Sequence, residues 1–217
     1  MSGIENEILV LFGKLMNQAP IRSFIAIDFS TEVLRNIEQV SDQLRKRIGV
    51  KAVRWVPAGN IHLTLKFLGN VPASQMEALA QALKAAAAGQ CWFDVEVEKL
   101  GAFPKISQPR VIWVGMKESN ELLVLYQSIE DQMARLGYAR EQRPFSGHLT
   151  LGRVSDRCRK QELDLITEVL RDVQVASLGK SRIEAVHLYR SDLRPSGSVY
   201  TRLYTVDLED VTPDGHR

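Results

Sequence analysis

The tetrapeptide His-Leu-Thr-Leu occurs twice in this chain, at His62-Leu63-Thr64-Leu65 and at His148-Leu149-Thr150-Leu151. Each copy alternates polar and apolar side chains, which is the period of a β-strand. Each therefore demands a half-buried strand that turns its leucines into a core and sends an imidazole and a hydroxyl out of the opposite face. The chain has four histidines in all, and two of them stand in these matching contexts. The duplication constrains both the fold and the chemistry.

The flanking pattern supplies the rest of the architecture. A short apolar run over 23–29 ends at Asp28-Phe29-Ser30, a buried strand followed by a helix N-cap. From Thr31 to about Ile48 the residues Val33, Ile37, Val40, Leu44 and Ile48 form one helical stripe, closed by Gly49. A strand at 53–56, a Pro57–Asn60 turn and the first histidine strand follow, the last broken at Gly69-Asn70. Ser74 caps a second helix that runs to about Ala88. Strands are expected at 91–100 and 111–115, separated by a loop holding Pro104 and Pro109. A third helix covers roughly 119–136. A turn at Arg143–Gly147 leads into the second histidine strand. A fourth helix at about 160–173 precedes two closing strands near 182–190 and 199–208. Short connections between strands favour antiparallel sheets over a doubly wound parallel one. The expected fold is α+β and bilobal, with two similar lobes around a shared cleft. Residues 21–208 form that single domain, 1–20 a peripheral extension and 209–217 a tail.

Composition narrows the function classes. Hydrophobic residues at 45% and charged residues at 25% of 217 describe an ordinary globular protein. A net charge of +2 is too small for a general nucleic-acid coat protein. Basic residues nevertheless crowd around the second motif: Arg135, Arg140, Arg143, Arg153, Arg157, Arg159 and Lys160. They form either a phosphate-attracting zone or a solvated face. Cys91 and Cys158 fit no metal or redox spacing and suit a reducing cytoplasm. No apolar run approaches the roughly 20 residues of a membrane helix. The run Ile8–Phe12 lacks the basic flank and cleavage site of a signal peptide.

Along Ile61–Phe67 every odd position is apolar, and the even positions are His62, Thr64 and Lys66. Strict alternation groups that imidazole, hydroxyl and ammonium on one face. It sets His148, Thr150 and Gly152 on the matching face of the second strand, where Gly152 leaves room for a ligand. The same parity turns Arg153 away from the cleft unless a bulge at Gly152 restores it, so Arg153 ranks below Lys66 as a ligand. A single His-x-Thr is most simply the solvent face of a strand. Two copies in a histidine-poor chain point to acid–base work on a phosphate ester. One neutral and one protonated imidazole can coexist near neutrality, and threonine hydroxyls can donate to phosphate oxygens. No carboxylate accompanies the histidines and no i, i+4 pair of histidines exists, so no metal or other cofactor is expected. His187 reads as a sheet or surface histidine, and His216 falls in the tail.

These motifs and their surroundings resemble the two-histidine phosphoesterase superfamily, and within it the bacterial and archaeal RNA 2′,3′-cyclic phosphodiesterases, historically called 2′-5′ RNA ligases. The likeness extends over Arg22–Asp28, Arg54-Trp55-Val56, His62–Gly69, Gly101–Pro104, Pro109–Trp113 and Arg143-Pro144-Phe145, roughly 22–208 in all. It implies two related α+β lobes with one motif each, His62 as general acid, His148 as general base, and Thr64 and Thr150 on the phosphate. The implied substrates are RNA ends or nucleotides bearing a 2′,3′-cyclic phosphate, and the product is a 2′-phosphate. The chain is expected to be a cytoplasmic monomer with no membrane partner. Phe145 then either stacks on a base or packs the loop, and Arg143 either approaches phosphate or does not. The chain departs from the family in having Gly147 where proline commonly precedes the second histidine, and in its long N-terminal extension. The reverse reaction, 2′-5′ joining of RNA ends, and a non-catalytic RNA-binding module are the competing readings.

Overall fold

Ser30 accepts a hydrogen bond from the Val33 amide at 3.3 Å and starts a helix whose buried residues are the expected stripe, Val33, Ile37, Val40, Leu44 and Ile48, with Ser41 beside them. That helix, α1 (Thr31–Ile48), follows strand β1 (Ile21–Ile27). The computed structural model describes residues 19–194 and 197–210. Residues 1–18 of the expected extension, including Ile8–Phe12, and His216 lie outside the described residues. The chain continues through β2 (Val53–Trp55), β3 (Leu63–Val71), α2 (Met76–Ala87), β4 (Phe93–Lys105), β5 (Gln108–Met116), α3 (Asn120–Arg135), β6 (His148–Val154), α4 (Lys160–Asp172), β7 (Ser177–Ile183), β8 (Ala185–Arg194) and β9 (Gly197–Asp207).

The strands form a four-stranded sheet, β3-β1-β8-β9, and a five-stranded sheet, β2-β6-β5-β4-β7. Every pairing between these strands is antiparallel, as the short connections imply. Helices α2 and α3 pack on the four-stranded sheet, and α1 and α4 on the five-stranded one. Each histidine motif belongs to a different sheet. Each sheet draws strands from both halves of the chain, so the lobes are interleaved rather than consecutive. One apolar core joins them, with Ile25, Ile27, Leu63, Leu149 and Leu151 all buried.

Several local expectations fail for non-local reasons. Ser74 lies inside a short 3-10 turn, and Gln75 rather than Ser74 borders α2, without a side-chain cap. The segment with Pro104 and Pro109 is no loop. It is the end of a β4–β5 hairpin in which the two prolines pair with each other across a turn at Ile106-Ser107. Strand β3 does not stop at Gly69-Asn70; Gly69 continues it in a left-handed conformation, φ 71°. The run near 182–190 is two strands, divided at Glu184, where the chain passes from one sheet to the other.

The register of the motif strands carries the largest correction. Thr64 pairs with Ala26 and Lys66 with Ile25, which leaves Leu65 as an extra residue. Thr150 pairs with Trp113 and Gly152 with Ile112, which leaves Leu151 extra. The fourth residue of each tetrapeptide is therefore a bulge, and beyond it the alternation reverses. Lys66 turns inward, at 7% exposure, and Phe67 turns outward, at 67%. Gly152 turns inward and Arg153 outward. The space at Gly152 is not left for a ligand: a Cβ there would lie 2.6 Å from Val53 Cγ1 and 3.1 Å from Trp55 Cε3. Gly152→Ala is expected to destabilise the protein by about 1–3 kcal/mol through overpacking against β2, measured as a lower urea midpoint.

Candidate active site

Two imidazoles are anchored in the same way. His62 Nδ1 donates to the carbonyl of Asn60 at 2.9 Å, and His148 Nδ1 donates to the carbonyl of Ser146 at 2.9 Å. In each case the acceptor lies two residues upstream, on the chain entering the strand. The bond places the proton of the neutral ring on Nδ1 and leaves Nε2 as the reactive nitrogen. Around His62 the Nε2 lies 3.1 Å from the Thr64 hydroxyl. Asn60 is itself fixed, since its side-chain amide donates to the carbonyl of Ser198 in β9 at 2.9 Å.

Aromatic rings enclose both histidines. Phe24 stacks on His62 at 4.8 Å between centroids, and Tyr200 meets it edge-on at 5.0 Å. Phe103 meets His148 edge-on at 4.8 Å, with Trp113 at 6.3 Å. Burial among these rings pushes both imidazoles below their ordinary pKa, and in each the backbone hydrogen bond opposes the effect. The remaining influences differ in sign. Asp28 raises His62, whereas Arg153 lowers His148.

Asp28 is the hub of a small network at the end of β1. It accepts from the Tyr189 hydroxyl at 2.7 Å and from Arg202, and His187 Nε2 lies 3.6 Å away. Burial and the Asp28 carboxylate push the Tyr189 hydroxyl up to about 12. Tyr189 in turn stacks on Phe24 at 5.2 Å, so the network abuts the ring that covers His62. His187 is a buried sheet histidine, bonded to Thr205 at 3.0 Å.

The chain links the two motifs directly. The amide of Val56, just after β2, donates to the carbonyl of Leu151 at 2.8 Å, beside Thr150. His62 follows six residues after Val56. Thr64 and Thr150 are both half-buried, next to their histidines in register.

The other expected ligands are placed differently. Lys66 lies on the reverse of β3, where its ammonium donates to Glu130 at 2.7 Å, so it is withdrawn as a ligand. Arg153 takes the outward place that alternation denied it, because the bulge falls at Leu151 rather than at Gly152. Phe145 stacks on Tyr126 at 4.2 Å, the loop-packing alternative. Arg143 is 85% exposed, and its side chain and amide bond Glu141, whose carboxyl that contact holds down at about 2. Gly147 sits against Met116, whose sulfur would be 2.6 Å from an added Cβ. Much of the basic zone is neutralised at the surface: Arg140 by Asp131, Arg143 by Glu141 and Arg159 by Glu162.

Sequence reasoning missed the lining of Phe24, Phe67, Tyr189, Tyr200, Phe103 and Trp113. One signal was available. Phe67-Leu68 is an adjacent apolar pair in an alternating strand, and Arg153 sits at a core parity; both mark a slipped register. Among the described residues no three His, Cys, Asp or Glu side chains cluster as metal ligands, and no helix is long and apolar enough to cross a membrane.

Known proteins resemble this chain in sequence and fold. A family model described as LigT like Phosphoesterase matches residues 27–113. The RNA 2′,3′-cyclic phosphodiesterase of Archaeoglobus fulgidus is 31% identical over 183 residues, covering 84% of this chain and 98% of the relative. The protein of the same name from Thermotoga maritima is 31% identical over 189 residues, covering 87% of this chain and 96% of the relative. The crystal structure of Escherichia coli LigT complexed with 3′-AMP superposes with a TM-score of 0.69 at 28% identity, over 87% of this chain and 98% of that one. TT0787 of Thermus thermophilus gives a TM-score of 0.72 at 24% identity, over 88% of this chain and 99% of that one, a likeness of fold.

Proposed function

The chain belongs to the LigT-like phosphoesterase family, and from that membership we propose that it hydrolyses RNA 2′,3′-cyclic phosphodiester ends by metal-independent two-histidine catalysis. The observation that carries the mechanism is the paired anchoring of His62 and His148, each with Nδ1 on a backbone carbonyl and Nε2 available for proton transfer. In this mechanism the two rings would face one cleft and hold a single phosphate between them.

His148 Nε2 takes a proton from water as the water oxygen attacks phosphorus. His62 Nε2 gives a proton to the 3′ oxygen as the bond from that oxygen to phosphorus breaks. The product is a 2′-phosphomonoester with a free 3′-hydroxyl. The Thr64 and Thr150 hydroxyls and the Arg153 guanidinium hold the non-bridging oxygens, where charge builds up in the transition state. Electrostatics support the division of labour. The Arg153 charge disfavours the imidazolium of His148, as a base requires, and Asp28 favours that of His62, as an acid requires. The exposed ring of Phe67, beside Phe24 at 6.2 Å, offers an apolar surface for a base. Without substrate, Arg143 bonds Glu141 and Phe145 stacks on Tyr126.

The donor set supports a metal-free reaction. Both Nδ1 atoms are occupied by carbonyls, and the group bonded to His62 Nε2 is the Thr64 hydroxyl rather than a carboxylate. The test is turnover of a 2′,3′-cyclic nucleotide before and after exhaustive chelation. Unchanged hydrolysis to the 2′-phosphate is expected. Loss of activity restored by one divalent ion would overturn the metal-free mechanism, and release of the 3′-phosphate would overturn the assigned direction of attack.

A further inference from the structure

The side chain of Lys66 stands two residues beyond Thr64, yet its ammonium is buried behind β3. It donates to Glu130 Oε2 at 2.7 Å and to the carbonyl of Ala139 at 2.6 Å. Glu130 Oε2 also accepts from the amide of Glu141 at 3.1 Å. The two side chains are only 7% and 6% exposed. Glu130 lies on α3, and Ala139 and Glu141 lie in the connection from α3 to β6. That connection ends in Ser146, whose carbonyl holds His148 Nδ1. Tyr126, one turn before Glu130 on the same helix, holds the connection at a second point through Phe145. One buried ion pair therefore ties the strand of the first histidine to the segment that delivers the second.

Such a pair is a weak device for stability. Two well-packed apolar side chains of similar volume are commonly as stable, because each charge loses its water on burial. Here Glu130 Oε1 is also buried without a hydrogen-bond partner among the described residues, which adds to the cost. What charge provides and apolar packing does not is direction: the ammonium and carboxylate fix one carbonyl and one amide of the connection at defined points.

We propose that the Lys66–Glu130 pair is a latch that positions His148, so that the strand carrying the acid sets the place of the base. This rests on the reading of His148 as general base. Lys66 and Glu130 are positioning residues and touch no substrate. The latch also accounts for a lysine at the position where the second motif has Gly152: both follow the bulge and point inward, where Lys66 meets a helix-borne carboxylate and Gly152 packs against Val53 and Trp55.

The test compares wild type with Lys66→Met, Lys66→Arg and the double variant Lys66→Met/Glu130→Leu. Each is assayed for kcat and KM on a 2′,3′-cyclic nucleotide, for melting temperature, and by nitrogen NMR of the two imidazoles without ligand. Lys66→Met should lose about 10- to 100-fold in kcat, the scale of a small misplacement of a reacting group, with KM little changed. The His148 Nδ1 signal should broaden or move toward that of a tautomeric mixture, while that of His62, anchored by Asn60, which β9 holds through the Ser198 carbonyl, should not. Lys66→Arg should recover part of kcat. The double variant should recover melting temperature but not kcat, which separates positioning from stability and covers the case in which Lys66→Met folds poorly. Wild-type kcat in folded Lys66→Met, a rise in KM alone, or equal disturbance of both imidazoles would overturn the latch. If the wild type turns over no cyclic nucleotide, the catalytic reading fails, and the imidazole comparison still decides the latch.

Discussion

His148→Ala is expected to slow hydrolysis of a 2′,3′-cyclic nucleotide by about 10²- to 10⁴-fold, the usual weight of a positioned general base. The fold should survive. The ring is half-buried, and its removal frees the carbonyl of Ser146, an exposed contact that water can satisfy. The lost edge contact with Phe103 amounts to about 1 kcal/mol. The rate is lost because water at neutral pH is a poor nucleophile without a positioned base to take its proton. Burial first, and then the Arg153 charge, keeps His148 neutral and ready to accept a proton. The variant should therefore lose the acidic limb of the pH profile, where wild type gains activity as its base deprotonates. Its residual rate should climb with hydroxide. Single-turnover rates, alongside melting curves, check both points. His187→Ala is the control. It should lower the melting temperature, since His187 is buried between Thr205 and Asp28, but it removes no group from the reaction. A folded His148→Ala variant with near wild-type turnover would remove the histidine from the mechanism.

What could be read in the chain and what could not divide along a physical line. Local signals held. Ser30 caps α1 through its own hydroxyl, the stripe of α1 is buried, and the two tetrapeptides present His and Thr beside each other. Each of these depends on residues within a few positions of one another. The errors arose where a distant strand decides. The bulges at Leu65 and Leu151 are set by pairing with β1 and β5, and no local propensity announces them. They exchanged the places of Lys66 and Phe67 and of Gly152 and Arg153, which reversed the ranking of Lys66 over Arg153. Pro104 and Pro109 looked like loop residues because neither has an amide to give a ladder; facing each other at a hairpin end, neither needs one. The run around Glu184 looked continuous because both of its flanks are apolar, although they serve different sheets. The aromatic enclosure of His62 comes from β1, β8 and β9, which no spacing in the sequence connects.

The second large effect belongs to His62. His62→Ala should also lose about 10²- to 10⁴-fold on a cyclic nucleotide, because the departing 3′ oxygen is a strongly basic alkoxide that needs a proton as it leaves. The two alanine variants should part on a cyclic substrate whose scissile oxygen is a good leaving group, such as an aryl oxide. Such a group needs little protonation, so His62→Ala should be partly rescued and His148→Ala should not. The wild-type pH profile provides the companion measurement. Burial holds both imidazoles below about 6.5, the ordinary imidazole value. The active form of the free protein carries one proton on the pair, so kcat/KM should be bell-shaped with its maximum below about pH 6.5. Both limbs report the pair rather than either residue. A bound phosphodiester anion favours the imidazolium, so the profile of kcat should lie at higher pH than that of kcat/KM. In His62→Ala with the activated substrate the alkaline limb should vanish, since no proton donor remains to be lost, while the acidic limb from His148 persists. Rescue of His148→Ala in place of His62→Ala would exchange acid and base and leave the site intact. Full activity in both variants would reduce the repeated tetrapeptide to a strand pattern and move the chemistry to other residues.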